Sequence, residues 1–328
     1  MSSGLKSKTA PPPPPQNSTR TRHAMSGPEV PDESVQVGPI VVLLRSRALQ
    51  STELASAQTL SDQFLIKFLR ARDLDVDQAL KLLLNYLRWR SNCPEISGRL
   101  CPSSVLGLLN TSYHAVLPLR DRAGSRVLLY RIGQWNPKEW CPFQVFSISL
   151  MTSEIIVTET ETQRRGVKVI FDLEGWTLSH ALQINPSLAR KISLVLSDSF
   201  PLKVRGIHLV NEPLFFRPVF AMIGPFLPEK IKQRIHMHGA GFRDSLGDFF
   251  PRSILPTEYG GAGPGVHEVC QSWANQLLQW ESYLQQVAAH PTGDVSADSS
   301  ENADEEEEER RSLASGVTQS CDDLRNSL

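Results

Sequence analysis

The sequence predicts an α/β protein, a small N-terminal α-helical domain leading into a mixed sheet covered by helices. Three observations predict it. Apolar residues recur at helical spacing over 64–89, and short β-branched runs stand at 126–132, 167–173 and 204–210. Helix-patterned stretches separate those runs. That alternation implies parallel pairing, because two parallel strands need a crossover long enough to hold a helix.

Residues 1–38 are rich in Pro, Ser and charge, with a run of five prolines at 11–15 that suits a polyproline II helix. A disordered arm is expected, because there is little to bury; an SH3-type ligand is the alternative. No apolar core of a secretory signal precedes it, and no stretch of about 18 apolar residues suggests a membrane span.

The helical domain is expected over 39–103. Phe64, Leu65, Phe68 and Leu69 lie on one helical face behind Ser61, a plausible N-cap. Ala79, Leu80, Leu83, Leu84, Tyr86 and Leu87 form a second apolar face that runs to Trp89 and stops at Pro94. Lys67, Arg70 and Arg72 are expected on the outer, solvated face. The α/β domain follows over 104–265, with helices at 143–163 and 186–197, then a C-terminal helix at 266–290 and an acidic tail at 291–328.

Charge is divided unevenly. The formal net charge is -1, yet residues 294–328 hold eleven acidic side chains against three arginines. The remainder is therefore positive by seven and invites anionic partners. Nucleic acid is a poor fit, because no aromatic–basic interleaving accompanies the cations. The five cysteines form no CxxC pair, which argues against a disulfide framework and against zinc.

Catalytic signatures are missing from the sequence. There is no GxSxG elbow, no Walker loop, no GxGxxG after a strand and no HExxH. Asp172 ends an apolar strand, where α/β enzymes often place a carboxylate, but Asp172 and Glu174 read better as caps of the next turn. His236 and His238 form an HxH pair with no third ligand indicated, so a structural or surface pair is expected. No catalytic residue, metal or cofactor is assigned.

Three stretches call for a binding explanation. Phe146, Ser149, Leu150 and Ser153 share a helix face. Either the serines bond back to the preceding turn, or they meet one polar atom of a greasy ligand. Spacing leaves both readings open. Residues 213–227 are apolar around most of a helix, with Arg217 as the sole charge and prolines at 213, 218, 225 and 228. Such a helix is buried in a core or acts as a movable lid over a lipid. Lys203 and Arg205 flank a strand start, and Lys230 and Arg234 stand at i, i+4 on the expected next helix. Beside an apolar helix, these four cations suit an anionic head group; solvated surface charge is the alternative.

The segments FPLKVRGIHLVNEP (200–213), RIHMHG (234–239) and ILPTEYGG (254–261) resemble the CRAL-TRIO lipid-binding family, and FLIKFLRARDLDVDQAL (64–80) is similar to its N-terminal helical domain. The stretch 149–176 resembles the tocopherol-carrying branch more than the retinaldehyde-carrying one. The resemblance covers about 61–283 and neither tail. It implies a carrier without catalytic activity, a CRAL-TRIO α/β domain whose sheet floors a lipid pocket, and a helical gate from Pro213 to about Arg234. Carried over by position, it assigns the pocket lining to Phe146, Ser149, Leu150, Ser153, Val167, Phe171, Trp176, Ile192, Val195, Leu196, Phe200, Leu202, Val204 and Ile207. Ser153 would help hold a chromanol hydroxyl, and Val167 stands where isoleucine is expected. It assigns a phosphoinositide site to Arg72, Lys203, Arg205, Lys230 and Arg234. The implied ligand is α-tocopherol, and the implied partners are phosphoinositides such as PtdIns(4,5)P2 or PtdIns(3,4)P2. A cytoplasmic monomer, visiting endosomal or plasma membranes transiently, would follow. A carrier of retinaldehyde or a phospholipid, or a phosphoinositide-reading adaptor, is the alternative.

Overall fold

The computed structural model describes residues 33–51 and 60–291, so most of the arm and the acidic tail lie outside the described residues. From Val37 onward the described residues form one compact unit. Helix α1 (Glu33–Leu49) buries Val37, Val41, Leu44 and Ala48, a stripe repeating every three to four residues.

Helix α2 (Asp62–Ala71) starts where the sequence placed it, since the Ser61 hydroxyl accepts the Phe64 N–H at 3.1 Å. Asp75 caps α3 (Val76–Asn92) in the same way, accepting the Gln78 N–H at 3.0 Å. Asp73 and Leu74 make the turn between them with positive φ of 51° and 67°. The apolar faces meet through Phe64, Phe68 and Tyr86, whose ring centroids lie 5.1 and 5.5 Å apart along the row.

The expectation of an outer cationic face fails for these helices. Arg70 donates to Gln163, Arg72 pairs with Asp198 at 2.8 Å, and Lys67 lines an internal recess. Helical period predicts that three residues share a side; it cannot tell solvent from the neighbouring α/β layer.

The sheet has five strands in sequence order, β1 (His114–Val116), β2 (Arg126–Arg131), β3 (Val167–Asp172), β4 (Val204–Val210) and β5 (Ile235–Met237). Only β1 runs antiparallel to its neighbour. The 143–163 stretch divides into α4 (Pro142–Ile156) and α5 (Thr160–Arg165), and α6 (Pro186–Ser197) crosses from β3 to β4. After β4 come α7 (Phe216–Ile223) and the single turn α8 (Glu229–Lys232), then α9 (Val266–Gln279) and α10 (Glu281–Ala289).

A buried ion pair ties helical layers together. Arg90 of α3 meets Glu154 of α4 at 2.9 Å, the Tyr86 hydroxyl donates to the same carboxylate, and Arg90 also donates to the Val287 carbonyl on α10. Both charged side chains are 4% exposed, so removing one partner would strand the other at a cost of about 3–5 kcal/mol.

Candidate functional site

The pleat of the sheet builds one wall of a cavity. Leu128 and Tyr130 of β2 face the same side as Val167, Val169 and Phe171 of β3 and Val204 and Leu209 of β4, because these positions are paired in register and alternate along each strand. The bulge between Val167 and Lys168 shifts the β4 register by one residue and keeps Val204 beside Val167.

Helices α4 and α6 close the opposite side. Helix α4 begins with Pro142 at its first turn, and the Gln144 side chain reaches back to accept the Cys141 N–H at 3.0 Å. It then presents Phe146, Ser149, Leu150 and Ser153 inward. Helix α6, capped by Asn185, contributes Ile192, Val195 and Leu196. Together these walls enclose about 310 Å³.

Of the fourteen expected lining residues, thirteen surround this one cavity; Ile207 does not. Ile207 pairs with Val169 on the same sheet face, but it is packed into the core cluster that also holds Leu227 and Ile231. β5, which the sequence did not reveal, adds itself beyond β4 and makes Ile207 an interior position.

The open question about α4 has a geometric answer. Ser147 bonds back to the Gln144 carbonyl at 2.7 Å, as helix serines often do. Ser149 instead faces the cavity beside the Tyr130 phenol, and the Ser153 hydroxyl makes no hydrogen bond among the described residues. Burial raises the Tyr130 phenol above its ordinary value, with Ser149 pulling the other way, and burial raises Tyr113 as well. Four hydroxyl groups, on Tyr113, Tyr130, Ser149 and Ser153, thus stand in a cavity otherwise lined mostly by hydrocarbon. Alternation along 126–132 could have identified Tyr130, which shares a face with Leu128 and Ile132.

The apolar segment after β4 covers one end. Trp176 stacks on Phe215 at 5.6 Å and meets Phe216 edge-on at the same distance, and both Trp176 and Phe216 line the cavity. On the outside, Leu214 is 98% exposed and Leu182 is 83% exposed. The Ser193 hydroxyl on α6 donates to the Phe226 carbonyl at the end of this segment.

The cations gather at the start of β4. Lys203 pairs with Asp73 at 2.6 Å, and the charges of Lys203, Arg205 and Lys230 together hold the Asp73 carboxyl below its ordinary range, with the Lys203 hydrogen bond the largest cause. Arg205 donates to the Arg165 carbonyl, and Arg234 donates to the Val204 carbonyl. Arg234 is close enough to Arg205 for their charges to oppose each other, which adds to the burial that lowers Arg234. Arg234 is not on a helix with Lys230, as expected, because α8 ends at Lys232 and the chain is already turning into β5. Arg72 pairs with Asp198.

Asp172 has a structural assignment. Its carboxylate accepts the Glu174 N–H, the Asn211 amide and the Tyr259 hydroxyl at 2.9, 2.8 and 2.6 Å. His236 and His238 gather on His208, which is stacked on His236 at 4.9 Å and hydrogen-bonded to His238 at 3.0 Å. Among the described residues no cluster could hold a metal ion.

This arrangement of helical layer, mixed sheet and apolar cavity coincides with two family models. The CRAL/TRIO domain matches residues 110–261, and the CRAL/TRIO N-terminal domain matches residues 44–85. The chain belongs to the CRAL/TRIO family. CRAL/TRIO proteins bind lipophilic ligands and act as carriers, and the cavity described above lies within the matched region. A mouse alpha-tocopherol transfer protein-like protein is 40% identical over 223 residues, 68% of this chain and 64% of its own. Its human counterpart is also 40% identical, over 62% of this chain and 59% of its own. Human Clavesin-2 is 30% identical over 67% of each chain. The chain thus spans roughly three fifths of the length of the tocopherol-transfer-like relatives it matches. No helix among the described residues is long and apolar enough to cross a membrane.

Proposed function

We propose that this CRAL/TRIO protein carries α-tocopherol in the cavity between sheet and α4 and α6, and delivers it to phosphoinositide-bearing membranes. The observation that carries the reading is the pairing of a hydrocarbon-lined cavity with a few inward hydroxyls that α4 leaves unspent. A tocopherol has one phenolic hydroxyl on a ring and a long hydrocarbon tail. Each methylene hidden from water contributes about 0.8 kcal/mol, and the ring hydroxyl needs a partner once buried. The likeness to proteins named for tocopherol transfer supports the same reading.

Release requires an opening. The segment bearing Phe215 and Phe216 is the gate, and the exposed Leu214 and Leu182 beside it are suited to enter a bilayer surface. Head-group phosphates engaging Arg205, Lys230 and Arg234 would favour the open gate to the extent that the open state binds them better. Guanidinium groups suit this task because they grip phosphate oxygens through paired hydrogen bonds. No bond is made or broken.

The test is competition against a fluorescent tocopherol. RRR-α-tocopherol is expected to displace the probe more effectively than γ-tocopherol, which lacks one ring methyl, by about 1–3 kcal/mol, the usual worth of one methyl in an apolar pocket. Retinaldehyde is expected to compete weakly. Equal potency of retinaldehyde would remove the tocopherol assignment and leave a carrier of another lipid.

A further inference from the structure

The described residues enclose a second recess, about 520 Å³, that shares no lining residue with the lipid cavity. It lies where α2, the end of α4 and the C-terminal helices meet. Phe64, Tyr86, Trp280 and Tyr283 give it aromatic walls, with Trp280 and Tyr283 edge-on at 5.0 Å.

Its polar groups are mismatched. The Lys67 side chain lines the recess and makes no hydrogen bond or ion pair among the described residues. The Glu154 carboxylate, which also lines the recess, is already held by Arg90 and by the Tyr86 hydroxyl. Asp62, the other acidic lining residue, is paired with Arg45. Arg70 adds a second positive charge to the wall, and its guanidinium donates to Gln163 at 2.6 Å. The Tyr283 hydroxyl, a further donor, has no hydrogen bond among the described residues. Burial draws the Lys67 ammonium below its ordinary value, with Glu154 opposing, so the lysine bears a desolvation cost that its surroundings do not offset. A lysine with only a structural role extends its head to water, whereas this one turns toward an aromatic recess.

We infer that the recess is an anion-selective site for a small carboxylate with a flat apolar body, with Lys67 as charge partner, Tyr283 as hydrogen-bond donor and the aromatic walls against the flat body. The inference is independent of what the lipid cavity carries.

The test is calorimetric titration of the full chain with 2-naphthoate, with inorganic phosphate and 2-naphthylmethylamine as probes lacking the flat body or the negative charge. One saturable site for 2-naphthoate is expected, bound at least tenfold more tightly than either control. Lys67→Gln and Lys67→Met should each weaken it at least tenfold with the circular dichroism spectrum unchanged. Ser153→Leu, in the lipid cavity, should leave it within twofold. Affinity should fall as pH rises through the depressed lysine titration. The inference is overturned by no saturable binding, by equal binding of the amine, or by an affinity that survives both lysine variants. It is also overturned if 2-naphthoate binds only after Glu305–Glu309 are all changed to Gln, which would give the recess to the chain's own acidic tail.

Discussion

The lipid cavity and the cationic edge of β4 differ in how far the fold has already satisfied them. In the cavity, Ser153 and the phenols of Tyr113 and Tyr130 stand in a hydrocarbon wall, and nothing in α4 consumes the Ser153 hydroxyl. At the edge, most cations are engaged: Lys203 by Asp73, Arg72 by Asp198, Arg205 and Arg234 by backbone carbonyls. Lys230 alone of these five has no such partner among the described residues. The cavity holds an unspent hydroxyl ready for a ligand, whereas under the proposed function the edge would have to exchange internal partners for phosphate oxygens. Such an exchange would make the edge a weak, reversible contact.

The largest expected effect breaks the cavity and spares the edge. Ser153→Leu adds bulk to a packed wall, which costs typically about 1–3 kcal/mol. Affinity for α-tocopherol should therefore fall by roughly ten- to a hundredfold in fluorescence binding, while co-sedimentation with anionic vesicles is unchanged. Parallel loss of both activities would show that the two regions are one site.

Acid should also act on the cavity side, through His114, alongside the buried His208 on β4. His114 is buried, stacked on Tyr130 at 4.1 Å, bonded to Thr152 at 2.8 Å, and burial depresses its pKa to about 3. The unfolded chain takes up this proton near pH 6.5, so the fold loses stability as pH falls below that value and the loss levels off near pH 3. The slope is about 1.4 kcal/mol per pH unit for this one group. Unfolding free energies from urea titrations at pH 7 and pH 5 should differ by about 2 kcal/mol on account of His114, and by less in His114→Gln. The arginines at the edge keep their charge throughout this range. Equal slopes in both proteins would assign the acid sensitivity elsewhere.

The smallest effect on the cavity tests the edge. Arg205→Ala with Arg234→Ala should change tocopherol affinity by less than twofold, since neither side chain lines the cavity. Transfer to phosphoinositide vesicles should slow, and the acceleration given by those lipids should vanish. Normal transfer rates would reduce the edge to solvated charge.

The sequence determined the elements and their faces. The short β-branched apolar runs at 126–132, 167–173 and 204–210, the helical spacing in α2, α3 and α4, and the cap Ser61 are local properties, and local chemistry is sufficient to set them. The apolar residues and both serines of the cavity were legible because they repeat with those periods or carry the family's pattern. Strands β1 and β5, three residues each, were not legible, because neither is long enough to show alternation. Only the tertiary structure decided what each face meets. It turned Lys67, Arg70 and Arg72 from solvent toward the α/β layer, set His208 against the HxH pair, enclosed Ile207, and gave four cationic side chains of the β4 edge partners distant in sequence. The reason is physical: a period states which side chains share a face, but partner identity depends on chain reversals between segments more than 100 residues apart, as for Arg72 with Asp198 and Lys203 with Asp73.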